Sequence, residues 1–115
     1  MFSEYLADQI INTYVIGSQV RLYTTAPTKR KAGVEVSGGT YAPQSALLVQ
    51  DGGRLNRALN SGLITFGEMP GVTVTGMAIT TMSGIVLFPL RITARTYAGG
   101  EPAQIEAGEL IVDLS

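Results

Sequence analysis

The chain contains 115 residues with a formal net charge of -1, from 8 basic and 9 acidic side chains, and this length suits one domain around one core. It has no histidine and no cysteine, so it lacks the usual general base, the common nucleophile pairs and the commonest transition-metal ligands; we expect no catalytic site, no cofactor and no metal site. The near-zero charge supplies no long-range field for nucleic acid or an anionic membrane, and no apolar run reaches the roughly 18 residues of a membrane-spanning helix.

The first segment has the spacing of an amphipathic helix. Its apolar residues lie at Leu6, Ala7, Ile10, Ile11 and Tyr14. Ser3 is a suitable N-cap and Gly17 a suitable terminator. We therefore predict an N-terminal helix over residues 1–17, within a single domain of residues 1–115. Because no basic segment precedes an apolar one at the N-terminus, we expect no signal peptide and production in the cytoplasm.

The remaining residues, 18–115, have the pattern of short strands. Alternating or strand-length apolar segments are separated by turns rich in glycine and proline. The predicted strands cover residues 19–25, 45–50, 63–66, 72–80, 85–90, 91–97 and 110–114, and residues 54–60 are ambiguous. This spacing predicts a mostly β fold, an antiparallel β-sandwich that is jelly-roll-like, with the N-terminal α-helix packed on one end or face.

The alternation along these strands also predicts a core. Its inward-facing apolar members are Val20, Leu22, Ile64, Phe66, Ile79, Leu87, Ile92, Leu110, Val112 and Leu114. We expect these ten side chains to pack in one cluster.

The stretch VEVSGGTYAP, residues 34–43, places two adjacent glycines after two strand-forming valines. A phosphate-binding loop needs a lysine and a hydroxyl after the last glycine, or glycines spaced across a strand-to-helix turn, and neither pattern is present. Pro43 also disfavours a helix here, because a proline holds the preceding residue in extended geometry. Ser37-Gly38-Gly39 is therefore predicted to be a turn.

Glu106, Glu109 and Asp113 form the densest acidic cluster. They do not fit the calcium-loop template, and a glycosidase pair would require two carboxylates facing each other across a cleft, which a sequence does not show. The simpler interpretation is a solvated turn before an edge strand, where charges discourage stray pairing.

The only basic run, Lys29-Arg30-Lys31, could contact a phosphate or an acidic neighbour, or could be a solvated loop tip. The tyrosines could form a sugar-stacking platform, but their spread along the chain fits packing in the core and at its rim better. These are Tyr5, Tyr14, Tyr23, Tyr41 and Tyr97.

Residues 85–90, IVLFPL, are apolar at every position, so we expect this strand to be covered on both faces. Pro89 limits ladder pairing and indicates an edge or a bend, which leaves a neighbouring subunit as the second cover. The predicted subunit interface combines this strand with the helix and consists of Leu6, Ile10, Ile11, Ile85, Val86, Phe88 and Leu90. Lys29, Arg30 and Lys31 are placed at its outer rim as a polar contact loop.

Five motifs follow one another along almost the whole chain: VRLYTTAPT (20–28), VEVSGGTYAPQ (34–44), ITFGEM (64–69), VTVTGMAI (72–79) and EAGELIVDL (106–114). In this order and spacing they resemble a family of small virion proteins of tailed bacteriophages, labelled minor tail or tail fibre proteins. Two positions depart from that family's pattern. Pro43 stands where the family has arginine, and Gly76-Met77 stand where it has a His-Phe or Trp-Phe pair. The resemblance implies a structural role without enzymatic activity.

Only 15% of the residues are charged and 45% are hydrophobic, which indicates that part of the surface is covered in an assembly. With the resemblance, this predicts a non-enzymatic structural protein of the virion, a minor tail or tail-tip and fibre-associated component. Its expected partners are further copies of itself, for example in a trimer, and other virion proteins. Two alternatives stay open: a capsid decoration protein on the head surface, and a lectin-like carbohydrate-binding module that contacts a host surface glycan.

Overall fold

The structure, a computed structural model, describes residues 3–28, 30–52, 54–90 and 92–114. It is mostly β, with antiparallel sheets and one N-terminal helix, α1 (Glu4–Ile10). The strands are β1 (Gln19–Thr25), β2 (Val34–Glu35), β3 (Gln44–Ser45), β4 (Leu48–Asp51), β5 (Arg54–Asn60), β6 (Ile64–Glu68), β7 (Val72–Val74), β8 (Gly76–Thr80), β9 (Val86–Leu90), β10 (Arg95–Tyr97), β11 (Pro102–Ile105) and β12 (Ile111–Asp113). The predicted sandwich-like β fold with a leading helix is confirmed.

The N-terminal helix begins where the sequence predicts. The Ser3 hydroxyl accepts a hydrogen bond from the Leu6 N–H at 3.1 Å, which caps the first turn. The helix continues as a π-helical turn, Ile11–Val15, and the chain then leaves it through Gly17 at a φ of +84°. Three side chains with no exposed area form the stripe that faces the core: Ala7, Ile11 and Val15.

The buried stripe of the helix differs from the predicted one by one position. Leu6 and Tyr14 are 46% and 57% exposed, and Ile10 is half-buried. The predicted stripe omitted Val15, which is apolar and fully buried beside Ile11. Because these two residues face the core, Tyr14 lies on the side of the helix that faces water, where its polar hydroxyl is accommodated. Ile11 therefore belongs to the core of its own chain, which corrects its assignment to a subunit interface.

Two sheets and two strand pairs build the β layers. The main sheet has the order β2-β1-β8-β9, and β3 also pairs with β1. The C-terminal sheet has the order β12-β5-β4. The other pairs are β7 with β10 and β6 with β11, and every pairing is antiparallel. The side chains between these layers form one buried cluster that extends from Ala7 to Leu114.

The predicted core is largely correct. All ten predicted residues are buried except Ile92, which is half-buried and packs against the cluster, and Leu87, which does not join it. Leu87 lies on the opposite side of β9, because Phe88 stands opposite the fully buried Ile79 on β8. Adjacent strand residues point to opposite faces, so the inward position of Phe88 turns Leu87 outward.

The predicted turn at Ser37-Gly38-Gly39 is confirmed. Gly38 and Gly39 have φ values of +108° and +59°, which favour glycine. A Cβ atom on Gly39 would lie 2.5 Å from the Glu68 carbonyl oxygen, which accepts a hydrogen bond from the Thr40 N–H. The glycines thus let the chain reverse directly against β6.

Candidate functional site: a groove beside an edge strand

β9 is the last strand of the main sheet and pairs with β8 along one side. A tight turn carries the chain from β8 into it: the Thr81 N–H donates to the Ile85 carbonyl at 2.9 Å, and the Ile85 N–H donates to the Thr81 hydroxyl at 3.1 Å. Among the described residues, no further strand or backbone hydrogen bond covers the other side of β9. The predicted edge position of this strand is confirmed.

A bulge determines which side chains of β9 face outward. Ile79 stands opposite Phe88 but Thr80 stands opposite Val86, so Leu87 is an extra residue in the ladder. Phe88 and the next inward residue, Leu90, are half-buried against the chain's own core. Both side chains keep part of their surface exposed, so their place in a subunit interface stays a prediction.

The outward residues of β9 lie beside a loop, residues 26–33, which we call the covering loop. The loop crosses β8 at Gly76, where an added Cβ atom would lie 2.6 Å from the Ala26 Cβ. Pro27 is buried in this contact. At the tip, the Thr28 N–H donates to the Lys31 carbonyl at 2.9 Å, and the Lys31 N–H donates back to the Thr28 hydroxyl. The loop therefore forms a wall on the outer face of the sheet.

A groove of about 600 Å³ lies between the covering loop and β9, and we call it the β9 groove. This volume is within the usual range of ligand sites. Its walls are formed by Thr28, Arg30, Lys31 and Ala32 on the loop, and by Ser83, Gly84, Ile85, Val86, Leu87 and Pro89 on and before β9. The fold thus brings the apolar strand together with Arg30 and Lys31 of the basic run, which was predicted at the outer rim of the interface that contains this strand. Lys29 lies outside the described residues.

Two cations line the groove, Arg30 and Lys31. Within the part of the chain that the structure describes, the side chains of Arg30 and Lys31 form no salt bridge and no hydrogen bond. Ile85, beside them, is 64% exposed. A single ligand in the groove can therefore contact apolar surface, the outer edge of β9 and two positive charges.

Arg21 lies behind the turn before β9 and, by contrast, forms several hydrogen bonds within the chain. Its guanidinium donates to the Glu35 carboxylate at 3.0 Å, to the Thr80 hydroxyl at 2.9 Å and to the Met82 carbonyl at 3.2 Å. Its side chain is only 14% exposed. Arg21 therefore holds the turn against the sheet, and the charge available to a ligand comes from the covering loop.

Glu35 also binds Tyr41. The Tyr41 hydroxyl donates to the Glu35 carboxylate at 2.8 Å and accepts from the Leu22 N–H at 3.0 Å, while its ring stacks on Phe66 with centroids 6.0 Å apart. Burial raises the pKa of the Tyr41 hydroxyl above its ordinary value, and the hydrogen bond to Glu35 raises it further. This residue closes the far edge of the main sheet and does not reach the groove.

The acidic residues near the C-terminus lie in a second exposed region. Glu106 and Glu109 are exposed in the turn before β12, residues 106–110, which we call the acidic turn. The buried Asn60 holds this turn, since its amide donates to the Glu106 carbonyl at 2.8 Å and accepts from the Leu110 N–H at 2.9 Å. No group of three or more histidine, cysteine or acidic side chains suited to a metal ion occurs among the described residues.

The tyrosines are dispersed through the molecule. Tyr23 and Tyr97 are buried and Tyr41 is half-buried, so these rings are not available to stack on a sugar. The exposed rings, Tyr5 and Tyr14, both lie on the N-terminal helical segment.

One exposed apolar row was not predicted. Val49, Leu59 and Ile111 stand opposite one another across the C-terminal sheet, and Val49 and Ile111 are 45% and 42% exposed. The sequence around Leu59, RALN, has no alternation of apolar and polar residues, so β5 carried no signal by which its faces could be assigned.

Comparisons with protein-family models, with curated proteins and with solved structures found no match to this chain. None of the helices in the described ranges is long and apolar enough to cross a membrane. The geometry of the β9 groove suits the binding of an extended, partly apolar segment that carries carboxylates.

Proposed function

We propose that this chain is a non-enzymatic structural protein of a tailed-phage virion, a minor tail or tail-tip and fibre-associated component assembled in multiple copies. The observation that carries the proposal is the open edge of β9 with its exposed apolar residues. An uncovered apolar strand edge templates aggregation, so natural proteins protect or occupy such edges. Pro89 and the bulge at Leu87 protect the β9 edge in part, but no described element covers it, and a permanent neighbour would do so.

Further exposed apolar residues support a protein with more than one neighbour. The row through Val49 and Ile111 lies on the C-terminal sheet, and Tyr5 and Leu6 lie on the helix, 74% and 46% exposed. These regions belong to different elements of the fold. Several apolar surfaces on one small chain are typical of a subunit that is enclosed by an assembly.

The composition of the groove supports binding without catalysis. Its polar side chains are Thr28, Arg30, Lys31 and Ser83, and the described lining contains no carboxylate. A hydroxyl nucleophile needs an adjacent general base, and the chain has no histidine to supply one.

The proposal is tested on purified phage particles. We expect mass spectrometry to find the chain in the particles and cryo-EM with a labelled antibody to place it on the tail. Label on the head surface would instead show a capsid decoration protein. A chain that is absent from the particles and found only in free form would contradict the virion role. A glycan array then tests for a sugar-binding module.

A further inference from the structure

The outer side of β9 presents backbone groups that a further strand can use. β9 pairs with β8 along one side, and within the described ranges no strand follows on the other side. Alternate residues of an edge strand direct their N–H and carbonyl groups away from the sheet. Pro89 removes one N–H and leaves every carbonyl in place. An extended segment can therefore pair with β9 by strand addition.

The charges beside this edge have one sign. Arg30 and Lys31 line the groove, and the described lining contains no carboxylate. The side chains of these two residues form neither a salt bridge nor a hydrogen bond with any described residue. Carboxylates on an added segment would satisfy both charges, so the charge of the groove selects an acidic ligand.

The two faces of an added strand would meet different surroundings. Side chains of a strand alternate between the faces of its sheet. Those on the outer face of the main sheet would lie towards the covering loop with Arg30 and Lys31. Those on the inner face would lie beside Phe88 and Leu90, which are half-buried and pack against the core. The best match is therefore a segment in which carboxylates alternate with apolar residues.

A second copy of the chain offers this edge a poorer match. If β9 of one copy paired with β9 of another, Arg30 and Lys31 of both copies would share one interface. Like charges in an interface are unfavourable, whereas an acidic segment brings opposite charges together. Self-association through the open edge is thus the weaker use of the groove, and it competes with the acidic segment.

We propose that the β9 groove binds an extended segment of another virion protein, in which carboxylates alternate with apolar residues, as an added strand beside β9. The carboxylates pair with Arg30 and Lys31, and the apolar side chains cover Phe88 and Leu90. The segment also covers Ile85, which is 64% exposed in the single chain. The inference rests on the proposed structural role in a virion and adds the chemistry of the neighbour.

Short capped peptides added to the full chain test the binding. The test peptide alternates glutamate with valine, and the block peptide has the same composition with all glutamates before all valines. A single-stranded oligonucleotide of equal charge tests for nucleic acid. Affinities are measured by fluorescence anisotropy at low and high salt.

A pair of charge variants locates the site. The groove variant carries Arg30→Gln and Lys31→Gln, and the control variant carries Gln9→Glu and Gln104→Glu, which change the net charge equally but do not line the groove. All four side chains are exposed, so both variants should fold, which thermal melting verifies.

We expect the unmodified chain and the control variant to bind the alternating peptide, more weakly at high salt. The groove variant should bind it about tenfold more weakly, which is the loss of two exposed ion pairs. The block peptide and the oligonucleotide should also bind at least about tenfold more weakly, because neither can pair with β9 while its charges face one side.

Methylation of backbone amides tests strand pairing itself. Alternate amides of an added strand face its neighbour, so the valine amides and the glutamate amides point to opposite sides. Of two peptides methylated on one or the other set, one should lose binding and the other should keep it.

Four results would overturn the inference: no binding of the alternating peptide, equal binding of the block peptide or the oligonucleotide, equal binding by the groove variant, or unchanged binding of both methylated peptides. If no peptide binds but the groove variant changes self-association, the occupant is a second copy, which also overturns it. None of these results bears on whether the chain is present in particles. Failure of the peptide contact is therefore distinguishable from failure of the proposed virion role, which the particle analysis decides.

Discussion

The two edges of the main sheet differ in how far the chain itself covers them. Along the β1 edge, β3 pairs with Gln19 and Val20, the Tyr41 hydroxyl binds the Leu22 N–H, and β2 pairs with Tyr23. Along the β9 edge no described element follows. The first edge is closed by local contacts, one after another, while the second leaves its backbone and its apolar side chains accessible.

This difference predicts which substitutions change the stability of the chain and which change its self-association. At the closed edge, a side-chain oxygen replaces the missing strand between β2 and β3, so the backbone donor at Leu22 is satisfied within the chain. At the open edge, no described residue binds the backbone groups on the outer side of β9 or the side chains of Arg30 and Lys31. Substitutions at the closed edge should therefore change the free energy of unfolding, and substitutions at the open edge should change self-association.

The largest effect is expected for Phe66→Ala. Phe66 is 1% exposed in the core and stacks on Tyr41, so its removal leaves a cavity beneath the closed edge. We expect the free energy of unfolding to fall by about 3–5 kcal/mol, measured by urea denaturation. Leu6→Ala, at a half-exposed helix position, is the control and should cost much less. An unchanged denaturation midpoint for Phe66→Ala would refute the position of Phe66 in the core.

A smaller loss is expected for Gly39→Ala. The φ of Gly39 is +59°, and the added Cβ would lie 2.5 Å from the Glu68 carbonyl oxygen, so the turn must distort. We expect a cost of about 1–3 kcal/mol in the same denaturation experiment. Gly52→Ala is the matched control, because Gly52 has no positive φ and open space around its Cβ position. Equal costs for the two variants would contradict the tight approach of the turn to β6.

Tyr41→Phe removes the hydroxyl that binds Leu22 and Glu35. We expect a loss of about 1–3 kcal/mol, because the Leu22 N–H loses its partner in a half-buried site. Tyr5→Phe is the control, since Tyr5 is 74% exposed. If both substitutions have the same small effect, the hydroxyl of Tyr41 does not close the edge.

The same residue predicts a pH dependence. The folded-state pKa of Tyr41 is raised, so above the ordinary tyrosine pKa of about 10 the unfolded chain loses this proton first. The stabilisation is therefore complete below about pH 10 and is lost as the pH rises towards the folded-state pKa. Thermal unfolding from neutral to alkaline pH should show a shallower decline for Tyr41→Phe than for the unmodified chain.

The smallest effect on stability is expected at the open edge, for Ile85→Asp. Ile85 is 64% exposed, so the free energy of unfolding should change by no more than about 0.5 kcal/mol. Self-association, measured by light scattering, should nevertheless weaken, because the charge enters the apolar surface at the open edge of β9. Val34→Asp, at an exposed position of β2, should leave association unchanged. If Ile85→Asp lowered the stability and left association unchanged, the β9 edge would contribute to folding and not to self-association, which would contradict the assignment made here.

Sequence periodicity predicted those elements whose structure depends on local residues. The capped helix, the turn at Gly38 and Gly39, and the inward residues of β1, β6 and β12 follow from local spacing. The two-residue strands β2 and β3 did not, because they exist only where β1 is already in place beside them.

Contacts between residues far apart in the sequence determine which side chains of β9 face inward, and they also form the groove. The bulge at Leu87 arises from pairing with β8, and a uniformly apolar segment contains no alternation that would reveal it. The meeting of Arg30 with β9 depends on how the covering loop packs onto Gly76, a contact across about half the chain. The sequence predicted the edge position of β9, through Pro89, and placed the basic run at the rim of an interface with this strand, but it did not predict the bulge or the groove.

The close contact of Ala26 with Gly76 has a consequence for how such a protein can diverge. Any side chain at position 76 would have to share the space that Ala26 occupies here, because an added Cβ would lie 2.6 Å from the Ala26 Cβ. A chain with such a residue must seat its covering loop elsewhere, and the loop is one wall of the groove. One substitution beneath the loop, outside the groove itself, would thus change the shape of the groove while every residue that lines it is retained.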